Sequence, residues 1–299
     1  MENNNDKQTF LKVTEPGELL NFLIANMPDK SRNTVKSLLS HRQISVDYKI
    51  TTQFNQSLKV GQDVIINWGR VQKQSSERAL KIYFEDPYLI VVEKQSGLLS
   101  IASDKEKNKT AYSMLSKMVK KEDRDNLIFV VHRLDRETSG LMLFAKSYDI
   151  QQLLQKAWQE TVVERSYVVV VEGQVEQNQA TITSWLKENR ALIMYSSQTE
   201  NDGQKAITHY KVLKRNDLYS LLEVNLETGR KNQIRVHLKD IGHSVLGDKK
   251  YGSTQNPLGR MALHARVLAF KHPITGKEVR FETPIPRRFL GLFGEKEYK

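Results

Sequence analysis

The spacing of apolar residues changes along the chain, and each change marks an element. Leu19, Leu20, Phe22 and Leu23 recur at helical spacing and predict a helix over 18–26. Ser31, a residue type that caps helix N-termini, precedes a second helical stretch running through Leu39. Short strands are predicted at 43–47 and, after a turn at Gly61, at 63–67. Residues 1–15 are polar and Asn-rich, so a disordered tail is expected there. Residues 69–78 are polar and aperiodic, and a linker is expected over 69–79.

Beyond residue 80 the pattern turns to strands. Stretches 82–84 and 89–92 flank an Asp86-Pro87 turn, and strands at 127–131 and 140–146 follow a helix at 110–120. A helix is predicted at 149–159, then strands at 167–172, 191–196, 206–213 and 220–226. Asn201-Asp202-Gly203 is a hairpin signal. Strands this numerous, with few helices between them, predict an α+β domain over 80–299 with a mainly antiparallel mixed sheet. A small α/β module over 16–68 precedes it. No repeat of fixed period is visible.

Charge sharpens this picture. Lysine and arginine outnumber aspartate and glutamate 46 to 35, a net charge of +11. Residues 229–299 hold 15 basic and 6 acidic side chains, 15 − 6 = +9 of that excess. A local basic surface facing a polyanion is expected, nucleic acid first; a surface charged for solubility is the alternative. The absence of cysteine excludes a disulfide scaffold, a thiolate metal site and a Cys nucleophile. No secretory signal pattern opens the chain, and the valine run 168–171 is far too short to cross a bilayer. A soluble cytoplasmic monomer with no membrane partner is expected. No phosphate-binding loop, dinucleotide fingerprint or zinc helix is found, so no cofactor or metal is expected. His237 and His243, six residues apart, do not share a helix face and are expected to be structural.

The densest chemistry lies in 131–147, VHRLDRETSGLMLFAKS. Asp135 falls in a loop between two apolar strands, flanked by Arg133 and Arg136. Two nearby cations favour an ionised carboxylate, which can act as nucleophile or base at a sugar or base carbon. The same residues also fit a turn in which Asp135 merely pairs with its arginines.

This stretch resembles the signature of the pseudouridine synthases of the large-subunit ribosomal "A" type. Four further blocks, one before this stretch and three after it, stand in the same order as in that family. Residues 82–99 are similar to its opening hairpin and Lys-Pro-x-Gly turn, with Gln95 in place of Pro. VERSYVVVVEG (163–173) is similar to the segment bearing an active-site tyrosine, with Arg165 where Lys is commoner. LETGRKNQIRVH (226–237) and IGHSVLGDKKYG (241–252) match the next block, with Lys231-Asn232 in place of Thr-His and Ser244 in place of Pro. RMALHARVLAFKHP (260–273) and TPIPRRF (283–289) match the last. The resemblance spans about 80–290 and implies a pseudouridine synthase fold that isomerises uridine in RNA without a cofactor.

By matching position it implies that Asp135 is the catalytic carboxylate, Tyr167 the ring beside a flipped base, and Arg235 the buried partner of the carboxylate. Leu263 would pack the target ring and Arg133 would fill the gap left in the RNA. Lys249 and Lys250, beside the Gly247-Asp248 turn, are expected to hold phosphates. Taken singly, Tyr167 and Leu263 could be core and Arg235 a surface helix charge. PGELLNFLIANMPDKSRNTVKSLLSHRQISVD followed by LKVGQDVII resembles the RNA-binding module named after the fourth small-subunit ribosomal protein, with Asp47-Tyr48 in place of Asn-Gly. Lys30, Arg32, Lys36 and Arg42 cluster on and around its second helix, where a backbone contact is expected.

Extruding a nucleotide from folded RNA costs a few kcal/mol, which phosphate contacts can supply. One carboxylate suffices for an isomerisation that activates no water, unlike glycoside hydrolysis. Large-subunit ribosomal RNA is the expected target, with tRNA the alternative. A noncatalytic ribosome-associated RNA-binding protein and a base-removing hydrolase are the rivals. The joint presence of Asp135 and Tyr167 opposes the first, and the lack of a clear second catalytic carboxylate opposes the second.

Overall fold

A computed structural model describes residues 8–40, 43–47, 49–68, 80–104 and 106–294. The chain divides into two units, Met1–Ser75 and Ser76–Lys299. The polar stretch expected as a linker (69–79) lies outside the described residues, as do Arg42 and Tyr48.

The first unit runs β1 (Gln8–Lys12), β2 (Gly17–Glu18), α1 (Leu19–Asn26), α2 (Arg32–Ser40), β3 (Ile44–Val46), β4 (Lys49–Ile50), β5 (Ser57–Leu58) and β6 (Asp63–Asn67). Ser31 caps α2, its hydroxyl accepting the Thr34 N–H at 3.2 Å. Leu19, Leu20 and Leu23 of α1 and Val35, Leu38 and Leu39 of α2 pack on Ile44, Val46, Val64 and Ile66 of the strands. The expectation of a disordered tail over residues 1–15 needs correction. Residues 8–12 form β1, which pairs antiparallel with the apolar β6. Leu11 and the following Val13 pack on the core, and Lys12 pairs with Asp63 at 2.9 Å. Pairing with β6 satisfies a backbone whose polar side chains hide the strand.

The second unit is an α+β domain. It contains β7 (Leu80–Glu85), β8 (Leu89–Lys94), α3 (Ala111–Glu122), β9 (Phe129–Val130), β10 (Ser139–Ala145), α4 (Tyr148–Lys156) and α5 (Trp158–Thr161). It continues with β11 (Val162–Glu172), β12 (Gln179–Glu188), β13 (Met194–Ser197), β14 (Gln204–Arg215), β15 (Tyr219–Leu226), α6 (Gln233–Asp240), β16 (Leu263–Lys271), β17 (Glu278–Glu282) and α7 (Arg287–Gly291). The strands form one mixed sheet in the order β13-β12-β14-β15-β11-β16-β10-β8-β7, with β17 on β16 and β9 on β10. Every pairing in it is antiparallel except β10 with β16. Among the described residues no helix is long and apolar enough to cross a membrane.

Three local expectations change. The strand at 127–131 is only the two residues of β9, and the helix at 149–159 is broken into α4 and α5. The Asn201-Asp202-Gly203 turn does not close a hairpin, because β13 and β14 both pair with β12. That central strand went unpredicted because a polar residue, Ser184, takes a core position in its alternation, its hydroxyl bonded to the buried His237.

The one parallel contact depends on Gly140. Its φ is +118°, and a Cβ there would lie 2.1 Å from the Ala265 carbonyl oxygen. Glycine thus lets β10 approach β16, fixing the loop before β10 against the start of β16. A buried hydrogen-bond relay reinforces the junction. Arg260 donates to the Ser139 hydroxyl at 2.7 Å, and Ser139 lies 2.8 Å from His264 Nδ1. His264 Nε2 lies 2.8 Å from the Thr283 hydroxyl, which donates to the Arg266 carbonyl at 3.2 Å. With Arg260 supplying a proton at one end, the hydroxyl protons all point along the relay. His264 is therefore neutral with its proton on Nε2.

Burial, aided by Arg260 and Arg266, lowers the His264 pKa to about 4. Burial alone lowers that of His237, held between Ser184 and Thr208, to about 4. An unfolded chain protonates both near pH 6.5, the folded one only near pH 4. Their stabilisation is therefore complete above about pH 6.5 and is lost as pH falls toward 4. In denaturant unfolding at a series of pH values, these two histidines should by themselves lower stability by up to about 3 kcal/mol per pH unit near pH 5. Equal stability at pH 7 and pH 5 would contradict the neutral-histidine assignment.

Candidate active site

A cavity of about 510 Å³ opens where the β9–β10 loop, β11, the start of α6 and the start of β16 converge. Asp135, Tyr167, Arg235, Leu263 and Arg133 all line it. These five are far apart in sequence, and the sheet order brings them together: β11 neighbours β16, and β16 neighbours β10.

The loop bearing Asp135 is held from below by the β8 turn. Lys94, fully buried, donates to the carbonyls of Leu98 at 2.8 Å and of Gln95 and Arg136 at 3.2 Å. Burial lowers its pKa to about 7, against the opposing pull of Glu137 and Asp135. The Gly97 N–H donates to the Arg136 carbonyl at 2.8 Å. The Ser100 hydroxyl donates to the Leu134 carbonyl at 2.6 Å and accepts the Leu134 N–H at 3.1 Å. These bonds pin the backbone on both sides of Asp135.

Arg235 projects from the first turn of α6, only 11% exposed. Its Nη1 donates to Asp135 Oδ2 at 3.1 Å and to Asn232 Oδ1 at 2.9 Å. Its Nε and Nη2 grip Asp248 bidentately at 2.6 and 2.8 Å. The guanidinium lies 4.7 Å from the Tyr251 ring centroid. Burial works against this charge, but the bonds and charges of Asp248 and Asp135 outweigh it and hold the Arg235 pKa above its ordinary value. Asp248 is 2% exposed and Asp135 35%, so Arg235 joins a buried anchor to a carboxylate open to the cavity. Arg235 is accordingly no surface helix charge.

Tyr167 stands on β11 among apolar neighbours from two core clusters. Burial raises its pKa, opposed by Arg165 and assisted by Asp135, so the phenol keeps its proton at neutral pH. His132 accepts the Leu143 N–H on Nε2 at 3.1 Å, and its ring lies 5.1 Å from that of Trp158. Burial, then Arg165, lowers its pKa to about 3. It is neutral with its proton on Nδ1.

Other expected residues lie elsewhere. Lys249 and Lys250 are exposed on the turn after Asp248 and do not line the cavity; Lys250 donates to the Leu192 carbonyl at 3.0 Å. Arg32 and Lys36 belong to the first unit, where they are exposed one turn apart on α2. The expected basic surface of the last quarter also changes. Arg235, Arg260 and Arg266 are turned inward, Arg266 pairs with Glu223 and Glu282, Arg280 with Glu164 and Glu282, and Lys231 with Glu188. Those acids come largely from the middle of the chain, which a count along the sequence cannot pair with them.

Two site residues went unnoticed in the sequence. Asp248 read as a turn residue. Asn232, which read as a harmless departure beside the motif, binds Arg235 and donates to the Tyr251 hydroxyl at 2.9 Å. A polar residue just before a helical Gln-Ile-Arg was the available signal.

Comparisons with known proteins agree with this geometry. Residues 88–240 match the model of the RNA pseudouridylate synthase family. A Bacillus subtilis (strain 168) protein, named as the uncharacterised RNA pseudouridine synthase YjbO, is 35% identical over 77% of this chain and 82% of its own. The ribosomal large subunit pseudouridine synthase D of Nitrosomonas europaea is 30% identical over 96% of this chain and 88% of its own. The solved structure of human RNA pseudouridylate synthase domain containing 1 superposes with a TM-score of 0.57 at 25% identity, over 69% of this chain and 83% of its own. With the family's model spanning half the chain and full-length relatives aligned on both units, the chain belongs to the RNA pseudouridylate synthase family and isomerises uridine in RNA.

Proposed function

We propose that this synthase modifies large-subunit ribosomal RNA, with Asp135 as its catalytic carboxylate. The observation that carries the chemistry is the Asp135–Arg235 pair at 3.1 Å, backed by buried Asp248 and open to the cavity. The isomerisation breaks the bond from uracil N1 to ribose C1′, turns the base, and joins C5 to C1′; C5 gives up its proton and N1 takes one up, so the formula is unchanged. Asp135 acts at the ribose while Arg235 holds its second oxygen. Tyr167 and Leu263 enclose the flipped base, which costs a few kcal/mol to unstack. Arg133, exposed at the cavity rim, fills the space it leaves.

The large-subunit target rests on the full-length likeness to a relative named for that subunit. Phosphate contacts from Lys249 and Lys250, and from Arg32 and Lys36 on the front unit, hold the RNA in place without reading its sequence. The front unit acts as the RNA-binding module its sequence resembles, and the protein works as a cytoplasmic monomer.

Mapping pseudouridines in ribosomal and transfer RNA from cells with and without the gene tests the target. One or more large-subunit pseudouridines should vanish with the gene and return with the wild-type copy but not with Asp135→Asn. Losses confined to transfer RNA would overturn the target.

A further inference from the structure

Among the described cations that line the cavity, Arg165 is the one with a buried nitrogen that has no partner. Arg165 on β11 lines the cavity two residues before Tyr167, and among the described residues it forms no ion pair. Its Nε is buried without a hydrogen-bond partner. Among the described residues its guanidinium forms only two hydrogen bonds, both long, from Nη2 to the carbonyls of Leu226 at 3.5 Å and Glu227 at 3.4 Å.

The contrast with other buried cations is informative. Lys94 and Arg260 also lack a carboxylate bond, yet each gives its N–H groups to acceptors at ordinary distances. Lys94 reaches three carbonyls at 2.8–3.2 Å, and Arg260 reaches two carbonyls and the Ser139 hydroxyl at 2.7–3.1 Å. Those two are satisfied within the fold and Arg165 is not. A half-buried guanidinium whose Nε is closed off from water without a partner carries a cost that a bound anion would offset.

The surroundings keep it unpaired. Gly229 packs against it so closely that a Cβ there would lie 2.5 Å from Nη1. Arg133, Arg136, Arg230 and Arg235 line the same cavity, with Asp135 as its one carboxylate, and Asp135 is already bonded to Arg235. The free valence of this site is therefore for an anion supplied by the substrate. Neutral uracil offers only carbonyl oxygens. The RNA backbone places a full negative charge on either side of every nucleotide, in oxygens that match a guanidinium fork.

We propose that Arg165 is the phosphate seat of the target nucleotide, binding a backbone phosphate while Tyr167, on the same strand, receives the base. This rests on the reading of the cavity as the uridine site. Arg165 is thus a substrate-binding residue whose charge contributes to affinity, and it takes no part in bond breaking.

The test uses the full chain and total RNA, labelled with tritium at uridine C5, from cells that lack the gene. Turnover releases that tritium to water, whichever RNA is the substrate. Arg165→Met should raise KM about ten- to a hundredfold, the scale of a lost charge-assisted hydrogen bond, and leave kcat within a few-fold. The slope of log kcat/KM against log salt should become shallower by about 0.7–0.9, the contribution of one phosphate contact. Arg165→Lys should keep the wild-type salt slope while losing part of the affinity, because it keeps the charge without the fork.

A kcat that falls at unchanged KM would overturn the proposal and move Arg165 to the reacting base. Parallel salt slopes for wild type and Arg165→Met would overturn it too. If Arg165→Met melts abnormally, Arg165→Gln and the Lys variant carry the same comparison. Failure of the Asp135 reading is separable: an active Asp135→Asn enzyme would refute that role while leaving the Arg165 salt slope to be judged by itself.

Discussion

Asp135→Asn is expected to remove pseudouridine formation almost entirely, lowering turnover by about 10³-fold or more. That is the scale of losing a group that bonds to, or takes a proton from, the reacting centre. Asparagine matches the carboxylate in volume but is neither a nucleophile nor a useful base. It retains an oxygen that can accept from Arg235 Nη1, and Arg235 keeps Asp248 and Asn232. The position is 35% open, so little buried structure depends on it. RNA affinity and melting temperature should therefore stay near wild type. Tritium release and thermal unfolding on the same preparation check both halves. Residual turnover within about tenfold of wild type, on a scale where acid–base groups give 10²–10⁴, removes Asp135 from the mechanism.

Which parts of this molecule were legible in its sequence follows from where its polar groups point. The strands β8, β10, β11 and β15 carry apolar runs such as Leu89–Val92 and Val168–Val171, all buried, and they announced the α+β class. β12 and α6 did not. Their inward faces include Ser184, Gln233 and His237, which bond to one another or to Thr208. A buried polar cluster of this kind erases the apolar period on both elements at once. Gly140 was seen as part of a motif, whereas its need for a missing Cβ depends on Ala265, 125 residues away.

The site divides along the same line. Asp135, Tyr167 and Arg235 could be nominated because each sits in an ordered block resembling a known family. Their partners could not. Asp248 holds Arg235 from thirteen residues further along the chain, past the end of α6, and Asn232 differs from the family's usual residue. Arg165 drew notice only as an exchange of Arg for Lys. Its meaning lies in the partners it lacks, and no reading of sequence neighbours can find a missing contact.

Arg235→Met should both destabilise and inactivate the second unit, because it breaks a buried pair from one side. Asp248 is 2% exposed and holds Arg235 through two bonds at 2.6 and 2.8 Å. Removing one partner of such a pair strands the other charge and costs about 3–5 kcal/mol. A unit of this size loses about 2–4 °C per kcal/mol, so the melting temperature should fall by roughly 10 °C or more. Turnover should vanish as well, since Asp135 loses its Nη1 donor. Arg235→Lys should recover part of the stability and little of the rate, because one ammonium cannot grip Asp248 bidentately and still reach Asp135. The double variant Arg235→Met/Asp248→Asn separates the two effects. It replaces the stranded charge with a neutral amide, so it should melt above Arg235→Met while remaining inactive. Thermal unfolding and tritium release on the four proteins give the answer. A double variant no more stable than the single one would show that the stranded Asp248 charge is not the source of the loss. An active Arg235→Met enzyme would show that Asp135 needs no partner.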